Sequence, residues 1–251
     1  MFVAASTDCF RDFSFEDAIE KLVDLEFTAV ELSIDQSGNQ IRPTDIRDDL
    51  NAAFVQCSST RRMNVSGYSL VIDAQGDEFL DLFTACCKLA KAAKVVSVTV
   101  PSGEHGTPFN EEVEKLKQLV KIGQQHGVRV GVRSQVKHLS EDPDTVSVIC
   151  GHVKGLGLSL DPSHYVYQND RPANYEKLLE YVQTVFLRDS TKNDLQVRVG
   201  QGVIDFGKLI NQLRKIGYNR ALVVDIPPKD GVDHLGEIRK MRLLLESLLL
   251  G

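Results

Sequence analysis

The stretch Gly155-Leu156-Gly157-Leu158-Ser159-Leu160-Asp161-Pro162-Ser163-His164 decides how the rest of the chain reads. Leucines at every second position specify a strand, and Pro162 ends regular pairing directly after Asp161. An aspartate and a histidine are thereby delivered just past a strand's carboxyl end. In a chain that alternates strands with helices, that is where a barrel keeps its chemistry.

Working outward from this stretch, the alternation repeats. Short apolar strand patterns are expected at 2–6, 28–33, 65–72, 95–100, 128–132, 153–160, 182–187 and 221–226. Helical spacing separates them. Ser14 offers an N-cap for a helix to about Leu25, and Thr44 or Asp45 caps one through about Gln56. Further helices are expected from Asp77 and over 111–125, 142–150, 174–181, 205–216 and 233–250, with Gly127 and Gly217 at helix ends. Eight strand signals alternating with eight helical ones predict an α/β fold, a (β/α)8 TIM barrel as a single domain over 1–251. The sequence contains no GxGxxG and no GxxxxGK[ST], so nucleotide-binding folds are disfavoured.

Composition narrows the partners. A chain of 251 residues that is 42% hydrophobic can bury a substantial core. Its 35 acidic and 29 basic residues give a net charge of -6 without a basic block, which argues against nucleic acid as a partner. Five cysteines with no Cys-x-x-Cys spacing favour reduced thiols in a cytoplasmic protein. No apolar run approaches the roughly 20 residues needed to cross a bilayer, and the start lacks a basic segment leading into an apolar one, so no membrane association is expected.

The chain resembles the xylose-isomerase-like superfamily of sugar isomerases and epimerases, which also contains inosose dehydratases and an endonuclease branch. The resemblance runs from about Phe2 to Leu248. It is carried by Phe27-Thr28-Ala29-Val30-Glu31-Leu32, by Leu89-Ala90-Lys91 leading to Val95, by Gly127-Val128-Arg129-Val130, and by Asp161-Pro162-Ser163-His164. Gly200-Gln201-Gly202 with Asp205-Phe206 and Ile216-Gly217-Tyr218 complete it. The resemblance implies a metal site of glutamate, aspartate, histidine and glutamate at the ends of the fifth to eighth strands. Those places here correspond to Arg133, Asp161, Phe186 and Asp225, and His164 matches a histidine that contacts substrate in the family.

Those departures carry physical weight. A guanidinium is a permanent cation that repels a divalent metal, and a phenyl ring has no ligand atom. The expectation is therefore a site without a metal cofactor, a divalent ion being expected only if the correspondence at Arg133 and Phe186 fails. Arg133 is expected to take the cation's place and pair with Asp161 and Asp225. His164, Glu31 and Asp225 are the candidate catalytic groups, and Asp161, Arg133, Arg188 and Asp189 the candidate substrate-binding ones.

Each has a plainer reading. Asp161 can pair with Arg133 for structure, His164 can bond to backbone, Glu31 can be a strand-end acceptor, and Arg188 with Asp189 can be a local salt bridge on the rim. Gly200-Gln201-Gly202 can present amides to an anion or simply turn the chain. Three functions stand: an isomerase- or epimerase-like enzyme acting on a small polyol, keto-sugar or hydroxy-acid; a non-catalytic barrel binding carbohydrate or a partner; and, third, a metal-dependent endonuclease. Oligomeric state is open, a homo-oligomer included.

Overall fold

Phe2 to Ala5 pair in parallel with Ala221 to Val224, and this contact closes the sheet. The computed structural model describes residues 1–168 and 174–251. Its parallel strands follow chain order around a closed barrel: β1 (Phe2–Ser6), β2 (Ala29–Asp35), β3 (Asn64–Val71), β4 (Ser97–Pro101), β5 (Arg129–Arg133), β6 (Gly157–Leu160), β7 (Val182–Leu187) and β8 (Ala221–Val224). The expected (β/α)8 barrel is the fold of the chain.

The helices are α1 (Phe15–Asp24), α2 (Pro43–Asp48), α3 (Leu50–Ser58), α4 (Gly76–Ala92), α5 (Phe109–Gln125), α6 (Pro143–His152), α7 (Ser163–Val166), α8 (Phe206–Lys215) and α9 (His234–Leu250). Their starts are set by side chains accepting from exposed first-turn amides: Ser14 from Asp17, Asp142 from Thr145, Asp205 from Lys208 and Asp233 from Gly236. Several boundaries differ from expectation, three of them by a change in structure. The helix expected over 44–56 breaks at Asp49, an extended residue whose carboxylate accepts from the amides of Asn51 and Ala52 at 3.0 and 2.9 Å and so caps a second helix. The strand expected from 153 begins at Gly157, because Leu156 N bonds Val153 O at 3.0 Å across a turn in which Gly155 has φ +91°. The helix expected over 174–181 is a 3-10 helix, Glu176–Tyr181.

Two interiors result from the strands' period of two. Val98, Val130, Leu158, Val185 and Leu222 belong to the large apolar core that joins the barrel to its helices. The opposite parity faces the barrel axis. There the apolar cluster is small, made of Ala4, Ala29, Phe186, Ala221 and Val223. Hydroxyls bond across the axis, Thr99 with Ser159 at 2.7 Å and Ser97 with Thr184 at 3.2 Å. A Cβ on Gly131 would stand 2.0 Å from the Gln183 amide nitrogen, so only glycine lets that side chain cross the barrel.

Candidate functional site

Following the inward parity to the strands' carboxyl ends leads from Gly131 to Arg133, from Ser159 to Asp161, from Phe186 to Arg188 and from Val223 to Asp225. Arg133 ends β5, and the other three immediately follow β6, β7 and β8. Closure of the barrel brings all four together. Arg188 Nη2 donates to Asp161 Oδ2 at 3.1 Å and to Asp225 Oδ2 at 2.7 Å. Arg133 Nη2 donates to Asp161 Oδ2 at 3.3 Å and makes a short contact with Asp225 Oδ2. Its guanidinium carbon lies over the Phe186 ring, 4.0 Å from the centroid. Two positive and two negative groups cancel within one network.

The electrostatics follow from this closure. Burial opposes ionisation of Asp161, but Arg188, His164 and Arg133 outweigh it and hold the carboxyl well below its usual value. Burial likewise opposes ionisation of Asp225, and Arg133 and Arg188 prevail. Asp161 Oδ1 also accepts from the Ser163 amide at 3.1 Å and its hydroxyl at 2.5 Å. Burial lowers His164 to about 4 despite Asp161, so its ring is uncharged near neutrality. The Val136 amide donates to His164 Nδ1 at 3.1 Å, which places the proton on Nε2, 3.5 Å from Asp161 Oδ2.

Glu31 lies within β2 and is 1% exposed. Ser6 Oγ donates to its Oε2 at 2.8 Å, while Oε1 has no hydrogen-bond partner among the described residues. Burial, opposed by the Ser69 and Ser6 hydroxyls, raises this carboxyl to about 7.

Above the network opens a cavity of about 320 Å³ whose charged lining is Asp8, Arg11, Asp35, Arg133, Arg188 and Asp225, with His164 and Ser69 also in its wall. Asp161 and Glu31 are buried and do not line it. Asp8 and Arg11 escaped the sequence reading. They pair with each other after β1, and burial followed by the Asp225 charge raises the Asp8 carboxyl above its usual value. Strand parity does not reach Asp8, because the chain after Ser6 turns into a 3-10 helix, Thr7–Phe10.

The rim salt bridge between Arg188 and Asp189 is replaced by a different arrangement: neighbours in sequence point apart on a strand end, and Arg188 turns inward to Asp161 and Asp225. Asp189 does not line the cavity. Its Oδ2 accepts from the amides of Gly200 and Gly202 at 2.8 and 2.9 Å, and its Oδ1 accepts from Ser190 N at 3.0 Å. A Cβ on Gly202 would fall 1.8 Å from Asp189 Oδ1, so this loop requires glycine there.

Residues 19–246 match the family described as xylose isomerase-like TIM barrel, and the chain belongs to that family. A xylose isomerase domain protein from Planctomyces limnophilus superposes with a TM-score of 0.75 at 17% identity, covering 99% of this chain and 96% of the other. A xylose isomerase-like TIM barrel protein from Mycobacterium smegmatis, solved in complex with magnesium, gives a TM-score of 0.77 at 13% identity, covering 98% and 96%. The 3-keto-D-glucoside 4-epimerase YcjR from E. coli gives 0.74 at 13% identity, covering 98% and 99%. Comparison with curated proteins returned no match.

The residues present at the mouth do not fit a divalent cation. Asp161 Oδ2 and Asp225 Oδ2 each already face two guanidinium groups, and the aromatic face of Phe186 seats Arg133. Among the described residues no cluster of three or more His, Cys, Asp or Glu side chains is arranged to hold a metal. No helix among them is long and apolar enough to cross a membrane.

Proposed function

We propose that the mouth binds a small carbohydrate-like molecule, a polyol, keto-sugar or hydroxy-acid, and acts on it as an isomerase or epimerase without a divalent metal. The observation that carries this reading is the Arg133–Arg188–Asp161–Asp225 network beneath an open cavity. Among the described residues only Nη2 of the Arg133 guanidinium is engaged, and the side chain is 19% exposed, so its other N–H groups remain for ligand oxygens. Fixed guanidinium donors polarise a carbonyl or stabilise an enediolate without reorganising. The Glu31 carboxyl, raised to about 7, suits proton exchange near neutrality, and burial shifts that of Asp8 on the cavity wall upward as well. His164 acts as an Nε2–H donor in this scheme. The sugar chemistry named for the structurally similar E. coli epimerase supports the substrate class.

A second reading, a binding barrel without turnover, is favoured by one observation: Asp161, Asp225 and His164 are all committed to protein partners. The deciding experiment is a screen of ketoses, inositols and small keto-acids by thermal shift, followed by exchange at the carbon next to the carbonyl in deuterated water. Binding with exchange supports the enzyme, binding without exchange or product supports the binding protein, and no binding by any class removes both. Five buried, unpaired cysteines agree with a reducing, cytoplasmic setting, which we include in the proposal.

A further inference from the structure

We infer that the mouth selects an uncharged polyhydroxylated ligand and rejects its phosphorylated or carboxylated counterpart. This narrows the proposed function and rests on its premise that the mouth is the ligand site. The first support is the charge of the lining. Arg11, Arg133 and Arg188 are answered by Asp8, Asp35 and Asp225, and Asp161 behind the wall adds a fourth carboxylate to three guanidinium groups. Both central arginines already touch two carboxylates each, so an arriving anion meets no unneutralised cation and faces repulsion from the acids beside it.

A second, independent support comes from the loop after β7. The loops following the seventh and eighth strands are where barrels of this kind frequently bind phosphate through backbone amides. Here the Gly200 and Gly202 amides both donate to Asp189 Oδ2, at 2.8 and 2.9 Å. The protein's own carboxylate fills the nest that a ligand anion would need.

The unmet polar atoms supply a third. Among the described residues, Arg188 Nε is a buried donor without a partner, and Asp225 Oδ1 is a buried acceptor without one; both residues line the cavity. A polyol carries hydroxyls able both to accept and to donate, as this pair of residues requires. An ionised phosphate or carboxylate oxygen serves the guanidinium only and has no proton for Asp225.

The test pairs each uncharged compound with its anionic partner at low ionic strength: a ketohexose against its phosphate, myo-inositol against its monophosphate, and an aldose against its aldonic acid, measured by isothermal titration. The uncharged member is expected to bind at least about tenfold more tightly. Equal or tighter binding of the anionic member overturns the inference while leaving the mouth as a ligand site. Failure of every compound overturns the proposed function and this inference with it. A second arm needs no organic ligand. Inorganic phosphate at low millimolar concentration is expected to leave the melting temperature of the parent where matched chloride leaves it, and to raise that of Asp225→Asn, in which a guanidinium loses its counter-charge. Phosphate stabilisation of the parent as large as that of the variant shows that the arginines are open to anions and overturns the inference.

Discussion

The guanidinium of Arg133 rests over the ring of Phe186, 4.0 Å from its centroid, while its Nη2 reaches Asp161 and Asp225. Two of the departures from the expected metal-ligand pattern, Arg133 and Phe186, therefore act together. The aromatic face seats the cation that the carboxylates require.

Replacing that cation exposes the dependence. Arg133→Met leaves two buried carboxylates with Arg188 alone and is expected to cost roughly 3 to 5 kcal/mol, the usual penalty for orphaning one side of a buried ion network. Urea denaturation of parent and variant at pH 7 measures it. A loss below about 1 kcal/mol, the size of a surface pair, would mean that the network is dispensable.

Divalent metal is the second expectation. Manganese or magnesium added to chelator-treated parent should leave its melting temperature unchanged, because binding to the native state alone would raise it. Protein prepared without chelator should contain less than stoichiometric metal by elemental analysis. One ion per chain, lost on Asp161→Asn, contradicts the fit argument.

Glu31 sets a pH dependence. Its carboxyl is raised from 4.5 to about 7 by burial, so the folded state holds a proton that the unfolded chain has released. Its contribution to stability thus declines as pH rises from 4.5 to 7, by on the order of 3 kcal/mol. Glu31→Gln keeps an acceptor for Ser6 without the charge, and is expected to be the more stable protein at pH 8 with little difference at pH 4.5. Parallel melting curves across that range would show that Glu31 is solvated.

His164 works in the opposite sense. Burial lowers its pKa from 6.5 to about 4, so the unfolded chain binds the extra proton and stability falls on acidification through that window. The two groups offset one another between pH 4.5 and 6.5. Glu31→Gln alone should therefore lose stability steeply on acidification below 6.5, and adding His164→Asn should flatten the profile. In the parent, a ring Nε2–H resonance insensitive to pH between 5 and 8 is the spectroscopic counterpart.

The strand alternation was legible because most barrel strands carry Val, Leu or Ile at one parity and small or polar residues at the other, as in Ala29-Val30-Glu31-Leu32-Ser33-Ile34. The same alternation placed Asp161, His164, Arg133 and Asp225 at one end of the barrel. Arg133 was expected to pair with Asp161 and Asp225, and it does; what could not be read was that Arg188 joins them. Arg188 sits beside Asp189 in sequence, yet its partners lie 27 and 37 residues away in the chain. Asp189 in turn reaches 11 and 13 residues on to the glycine amides. The break at Asp49 was missed because an aspartate inside a helical pattern looks the same as one that starts a new helix. Asp8 was missed because the chain leaves β1 in a short 3-10 turn, Thr7–Phe10, to which strand alternation does not apply.

The small apolar cluster inside the barrel has a consequence for how such a molecule changes over time. Ala4, Ala29, Phe186, Ala221 and Val223 form only a small apolar cluster along the axis, whereas the burial of the large core lies between the strands and the helices around them. Axial substitutions that exchange one polar or small side chain for another forfeit little of that burial. The scaffold and the reactive end are thus largely separate thermodynamic compartments. A lineage can exchange paired mouth residues together while the burial between strands and helices stays in place.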